Sequence, residues 1–293
     1  EIVFFLHCHI FIMDLPSSSS NYSIRQIIQY QMFACGDVEY PIEECIDFVQ
    51  SVVVPHVSSI VQKCIKNMEN RKSHKPELVD LLVQYKNNQK LLKRMHDYIC
   101  LMKNIKYNST FTSEDQKEAS EDEEEVEDDQ PNPLVDKFLA AISEIDSDEK
   151  LAKFISDTSQ SDSVKLSRNK KIAERTQSMT VEKYKRFAEA RSCSFIRLKG
   201  RTLDEYINGF TVAIGAPSNF DRDLVNLLNF CAIEMLNVLV ENADKIRRRE
   251  LGNLSSKMKL GAIQLEHYQA AANPVLKRKS KTSEIPPKKP RLQ

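Results

Sequence analysis

Apolar residues in this chain recur three and four positions apart, the spacing of a single helix face, in two stretches separated by a long polar one. In the first stretch Ile24, Ile27, Ile28, Met32 and Phe33 mark a helix that stops at Gly36, the residue type best suited to a left-handed C-terminal cap. Pro41, Glu43 and Glu44 open the next helix, because proline fits a first turn and carboxylates favour the positive end of the helix dipole. Its apolar stripe (Ile42, Cys45, Ile46, Val49, Val52, Val53, Val57, Ile60, Val61, Cys64, Ile65, Met68) predicts about seven turns, or roughly 40 Å of helix. Pro55 lies within it. The apolar phase is the same on both sides, so the spacing predicts one helix with a kink where the proline removes a backbone hydrogen bond. After a polar loop over Asn70–Lys75, Pro76 opens a short helix on Leu78, Val79, Leu81 and Leu82. A fourth helix then carries Leu91, Leu92, Met95, Tyr98, Ile99 and Met102.

The second stretch repeats the order short, long, short. Leu134, Val135, Phe138, Leu139, Ile142 and Ile145 predict a connecting helix, and Leu151, Phe154 and Ile155 a second one. Thr180 is placed to cap a helix, with Lys183 where a capping box would have an acid. A short helix through Leu203, Tyr206 and Ile207 precedes the second long stripe: Phe220, Leu224, Leu227, Leu228, Cys231, Met235, Leu239, Ala243 and Ile246. Ser218 is its expected cap. Asp221 and Asp223 fall in its first turn, and Lys245, Arg247, Arg248 and Arg249 in its last, each set complementing the dipole. Residues 262–268 are expected to supply a short strand and a third helix.

Composition supports an all-α class, with no Trp and only 6 Gly in 293 residues. Lys plus Arg and Asp plus Glu both number 42, so the chain lacks the basic excess of a dedicated DNA-binding protein. Charge is segregated instead. Residues 114–129 hold eleven acids against one Lys, and such a block predicts a solvated, extended linker over 108–133. Cys8, Cys35, Cys45, Cys64, Cys100, Cys193 and Cys231 form no CxxC pair, which suits a reducing compartment, and Cys45, Cys64 and Cys231 fall on the apolar stripes. His7-Cys8-His9 is too contiguous to converge on one ion, and no second ligand pair follows at zinc-site spacing, so no metal or cofactor is expected. The apolar run Ile2–Ile12 is well short of the ~20 residues of a membrane helix, and residues before Met13 are expected to be upstream sequence. The chain carries no Gly-rich phosphate loop, HExxH or GxSxG, so no enzyme is expected. The tail holds two basic clusters, Lys277-Arg278-Lys279 and Lys288-Lys289 with Arg291, in the pattern of a nuclear localisation signal.

The run Tyr30-Gln31-Met32-Phe33-Ala34-Cys35-Gly36-Asp37, with Ile46-Asp47-Phe48-Val49 and Pro76-Glu77-Leu78-Val79, resembles two related transcription families. One is the histone-fold subunit thirteen of TFIID. The other is the Spt-three (suppressor of Ty, three) subunit of the SAGA coactivator. Met179-Thr180-Val181-Glu182-Lys183-Tyr184, then Glu189-Ala190-Arg191-Ser192-Cys193-Ser194-Phe195 and Lys199-Gly200-Arg201, resembles the stretch that introduces a second histone fold in the Spt-three family. That second half selects the Spt-three resemblance.

The resemblance implies an all-α protein with two histone folds on one chain, paired intramolecularly as a histone-like pseudo-heterodimer. The corresponding division is a disordered or non-native N-terminus over 1–21, a first fold over 22–107, the acidic linker over 108–133, connecting helices over 134–178, a second fold over 179–273 and a disordered basic tail over 274–293. Pairing would bury Ile46, Val49, Val53, Val57 and Ile60 against Leu224, Leu228, Cys231, Met235 and Leu239. The resemblance further implies membership of a SAGA-type assembly in the nucleus, without a membrane, and contact with the TATA-binding protein. Glu189, Arg191 and Phe195 are the candidate contact residues, although a core Phe195 and a solvated Arg191 are an equal reading. A TFIID-type subunit remains an alternative. So does a histone-like DNA binder that inserts Arg71, Lys72 and Lys75 toward phosphates, against which the balanced charge argues.

Overall fold

Eleven α-helices form among the residues described by the computed structural model, namely 22–108, 133–146, 148–157, 159, 161–196, 203–252 and 261–280. They are α1 (Ile24–Cys35), α2 (Glu43–Asn70), α3 (Leu78–Leu82), α4 (Gln89–Asn108), α5 (Pro133–Ile145), α6 (Lys150–Ser156), α7 (Ser163–Thr176), α8 (Val181–Ser192), α9 (Leu203–Ile214), α10 (Arg222–Glu250) and α11 (Leu265–Ser280). Residues 1–21 with the His7-Cys8-His9 run, the acidic block, Lys199-Gly200-Arg201, and Lys288, Lys289 and Arg291 lie outside the described residues.

Local sequence sets the helix ends. Ser23 caps α1 by accepting from Gln26 N–H, and Gly36 ends it at φ +144°, with its N–H returned to Met32 O. α2 runs unbroken through Pro55, 28 residues or about 42 Å by helical rise. At α3 the cap falls on Glu77 rather than Pro76: the Asp80 carboxylate accepts from Glu77 N–H in a capping box, and Arg71 clamps the same carboxylate at 2.9 and 2.8 Å. The cap of α10 is likewise Asp221, not Ser218. Asp221 Oδ1 accepts from Leu224 N–H at 2.9 Å, while Pro217 O and Phe220 N–H close a turn around Ser218.

One further expectation fails. No strand forms at 261–264, where Ile263 N–H donates instead to the Asp37 carboxylate at 3.0 Å. α11 spans Leu265–Ser280. One element went unassigned in the sequence: α7 has no fully buried residue and so no readable stripe.

The core lies where α2 and α10 pack on one another. Ile46, Val49, Val53, Val57 and Ile60 of α2 and Leu224, Leu228, Cys231, Met235 and Leu239 of α10 are all buried in one continuous cluster. The flanking helices reach across: α1, α3 and α11 each pack on both long helices, and α9 packs on α2. By length and hydropathy both long helices could span a membrane, but their apolar faces are enclosed within the protein. Burial pushes the thiols on these stripes up, Cys45 to about 11 and Cys64 and Cys231 to about 12, which leaves them as inert apolar fillers. α5 and α6 complete the outer side of α3 and α4 with Phe138, Ile142, Leu151 and Ile155. Lys93 fastens α6 there by donating to Ile155 O at 2.9 Å and Asp157 O at 2.8 Å, a cation at a helix C-terminus.

The two halves also meet at Tyr22. Its ring lies edge-on to Tyr206, with centroids 5.2 Å apart, and directly over Gly209 of α9. A Cβ at Gly209 would sit 2.6 Å from Tyr22 Cγ. Gly209→Ala in a helix interior should gain up to about 1 kcal/mol, but displacing Tyr22 should cost about 1–3 kcal/mol. The net effect is therefore destabilising in the native chain and stabilising in a Tyr22→Ala background, a sign reversal that urea titration of the four variants would read.

A second prediction concerns pH. Burial lowers the pKa of His96, whose ring packs on Phe138 with centroids 5.9 Å apart; Asp97 opposes the shift and Lys93 adds to it. The unfolded chain, with a histidine near its ordinary value of about 6.5, then binds the proton more readily than the folded one. Stability is full above that value and falls as pH drops through it toward the folded pKa. His96→Gln should flatten the decline of the urea midpoint between about pH 7 and about pH 5. An unchanged slope would rule His96 out as its source.

Candidate partner-binding surface

The segment that most resembles the Spt-three family forms α8 and the turn after it. Thr180 caps α8, accepting from Lys183 N–H at 3.3 Å, and only Phe187 and Ala190 along the helix are fully buried. Those two residues dock on α1. Phe187 meets Phe33 edge-on with centroids 5.4 Å apart, and Tyr30, Ala34, Ile172 and Met179 close the cluster. At one end Gln31 Nε2 donates to Cys193 O, and at the other Arg186 pairs with Glu39. α8 therefore lies across the first half of the chain although its sequence opens the second.

This docking separates the three candidate contact residues. Glu189 is exposed, on the α8 flank beside Tyr30. Burial, helped by the Cys193 and Glu189 charges, pushes the Tyr30 hydroxyl pKa up. Arg191 is half-buried, with its guanidinium carbon 5.9 Å from the Phe187 ring centre. Phe195 has no exposed surface: it stacks on Phe210 with centroids 5.5 Å apart, and its N–H donates to Asn229 Oδ1 at 3.1 Å. It is a core residue, because the chain turns inward after Ser192. The surface also carries residues that the sequence did not single out. Tyr40 is 74% exposed and Tyr184 49%, both large rings left facing water. Isolated tyrosines carry no periodic signal, so only their exposure reveals them.

Polar groups at the seam between the halves were equally hard to foresee. Asp37, placed by the Gly36 turn, accepts from Tyr268 O–H at 2.8 Å and from Ile263 N–H, tying the α1–α2 loop to α11. Asn229 of α10 accepts from Ser194 O–H at 3.0 Å and donates to Tyr98 Oη on α4 at 3.0 Å. Burial pushes Tyr98 up to about 12, with the Asn229 bond opposing it, so the phenol is neutral at physiological pH. Neither site offers chemistry beyond fastening. Among the described residues no group of His, Cys, Asp and Glu could hold a metal ion.

Of the cations proposed for a DNA-binding alternative, Arg71 is engaged with Asp80 and Glu77, and Lys75 lies 3.7 Å from Asp221. The side chains of Lys277, Arg278 and Lys279 lie outside the described residues.

Comparison with known proteins agrees with this geometry in two parts. The family model for the transcription initiation factor IID 18-kD subunit matches residues 22–113, the region that contains α1 to α4. The SAGA complex subunit Spt3 of Schizosaccharomyces pombe is 23% identical over 245 residues, covering 81% of this chain and 76% of the relative. The SAGA complex subunit SPT3 of Saccharomyces cerevisiae is also 23% identical, over 252 residues, covering 77% of this chain and 74% of the relative. The resemblance to the Spt3 relatives thus covers most of the chain, while the resemblance to the TFIID subunit is confined to residues 22–113.

Proposed function

We propose that this chain is a non-enzymatic transcription coactivator subunit of a SAGA-type complex, acting as a scaffold that engages the TATA-binding protein and assists initiation by RNA polymerase II. The observation that carries the reading is the mutual burial of α2 and α10 within one chain. A short–long–short unit normally needs a partner to cover its long helix, and here the partner is supplied by the same polypeptide. Residues 22–107 and 179–273 are then two histone-like units paired within the chain, joined through the acidic linker and the connecting helices. Relatives named as SAGA subunits match about three quarters or more of the chain, which supports the Spt-three reading over a TFIID subunit confined to one such unit.

In this reading α8 presents Glu189 and Arg191 to the TATA-binding protein, beside Tyr40 and Tyr184. Phe195 supports that surface from inside. Lys277, Arg278, Lys279, Lys288, Lys289 and Arg291 direct the protein to the nucleus. A histone-like DNA binder is disfavoured by the engagement of Arg71 with Asp80 and by the net charge of zero.

Two measurements test the reading. Light scattering on the full chain should give a monomer, and a stable homodimer would contradict pairing within the chain. Immobilised TATA-binding protein should retain the chain at low and moderate salt, and Glu189→Ala with Arg191→Ala should weaken retention by about five- to thirtyfold, a coupling of about 1–2 kcal/mol. Steeply salt-dependent binding to duplex DNA, with no retention by the protein, would overturn the scaffold reading.

A further inference from the structure

α7 is attached differently from every long helix in the structure. None of its residues is fully buried, and charged side chains hold it in place. Its cap, Asp162, accepts from Val164 N–H at 2.9 Å and lies 3.2 Å from Arg94 on α4. Arg168 bridges Glu234 and Glu241 of α10, each at 2.7 Å, and Glu234 also takes Arg94. At the far end Arg175 donates to Phe33 O at 2.9 Å, Ala34 O at 3.1 Å and Asp37 O at 3.2 Å. Its guanidinium carbon lies 4.8 Å from the Phe187 ring centre and 5.5 Å from that of Phe33.

Arg175 has carbonyl dipoles and ring faces around it where Arg168 has carboxylates. A largely buried guanidinium held this way recovers less of its desolvation cost than an ion pair does. Burial accordingly lowers its pKa, whereas the bonds to Glu234 and Glu241 raise that of Arg168 against the same cost. The apolar cluster beneath, centred on Phe33, Phe187 and Ala190, is separate from the main core. α7 and α8 therefore rest on a small apolar contact and a set of polar bonds whose net contribution is modest, while α2 and α10 rest on the full core. Segments with few buried apolar contacts open locally at lower free energy than the whole fold.

We infer that α7 is a releasable strap, which holds α8 and its Glu189–Arg191 face against the first half and opens without unfolding the α2–α10 core. Arg175 is its positioning residue: it joins the strap to the last turn of α1 and stacks on the ring that docks α8. Cys35 lies within reach of the Arg168 and Arg175 charges of the strap, its Sγ donating to Asn237 Oδ1 at 2.8 Å, so it reports opening. The strap itself is read from geometry alone, and only its effect on partner binding rests on the function proposed above.

Hydrogen exchange of the full chain, read by mass spectrometry, tests it. Amides of 163–192 should exchange at least about tenfold faster than the buried turns of α2 and α10. Arg175→Ala should accelerate the first group by about a further tenfold, leave the second within about twofold, and speed alkylation of Cys35 by iodoacetamide in step. Arg168→Ala should act the same way, a second route if the first variant folds poorly. Arg175→Lys, which keeps a charge but lacks the planar guanidinium that lies over the Phe33 and Phe187 rings, should fall between. Exchange of 163–192 together with α2 and α10, or uniform acceleration in both variants, would overturn the strap. Retention by TATA-binding protein should fall about fivefold in Arg175→Ala. If the native chain is not retained, the function proposed above fails while the exchange result stands. Local opening with unchanged retention would overturn the link from strap to surface.

Discussion

Everything in this fold depends on the burial of one long apolar stripe by another on the same chain. α2 and α10 each present about ten apolar side chains along one face, and a stripe left exposed would forgo on the order of 15–25 kcal/mol of burial. No short helix nearby has the area to cover such a face. The placement of the short helices follows from this crossing, since each fills the angle left beside the long helix of the other half. The few interior polar groups follow as well. Asp37 and Asn229 sit at the seam: Asp37 takes Ile263 and Tyr268 from the opposite half, and Asn229 joins Tyr98 of the first half to Ser194 of its own.

The stripes were legible because periodicity is what a fully buried face imposes on a sequence. All ten residues assigned to the pairing of the long helices are buried, and the two long helices were found nearly to the residue, while α9 and α11 run well past the stretches read for them. Ends and unburied elements were not legible in the same way. Ser218 and Asp221 are both competent caps. The choice between them is made by the turn at Pro217–Phe220, which commits Ser218 to a loop. α7 escaped because its inward positions are arginines: a helix held by ion pairs leaves no apolar rhythm. The missing strand at 261–264 reflects a competition between backbone and side chain that the Asp37 carboxylate wins, and no local pattern announces it.

The candidate surface was partly legible for a related reason. A family-like segment marks a region, not the direction in which each side chain points. Glu189, Arg191 and Phe195 lie within seven positions of one another, yet the first is exposed, the second half-buried and the third enclosed. The helical turn separates the first two from Phe187 and Ala190, and the end of α8 at Cys193 sends the third inward.

The candidate surface and the core are therefore built from one short segment, and this constrains how the surface can change. Phe195 and its N–H are fixed by Phe210 and Asn229, and Asn229 is fixed in turn by Tyr98 on α4. The C-terminal end of α8 is thus anchored to the core through its backbone. The rest of the helix is held by the small apolar cluster around Phe187, by Arg175 over that ring, and by the Arg186–Glu39 pair. A helix fixed firmly at one end and lightly at the other pivots about the fixed end. Motion of α8 would then displace Val181 and Tyr184 further than Arg191, which lies beside the anchor. Two constraints are therefore divided along a single helix: the core anchor fixes where Glu189 and Arg191 begin, and the contacts of α7 fix the tilt at which α8 presents them together with the exposed ring of Tyr184.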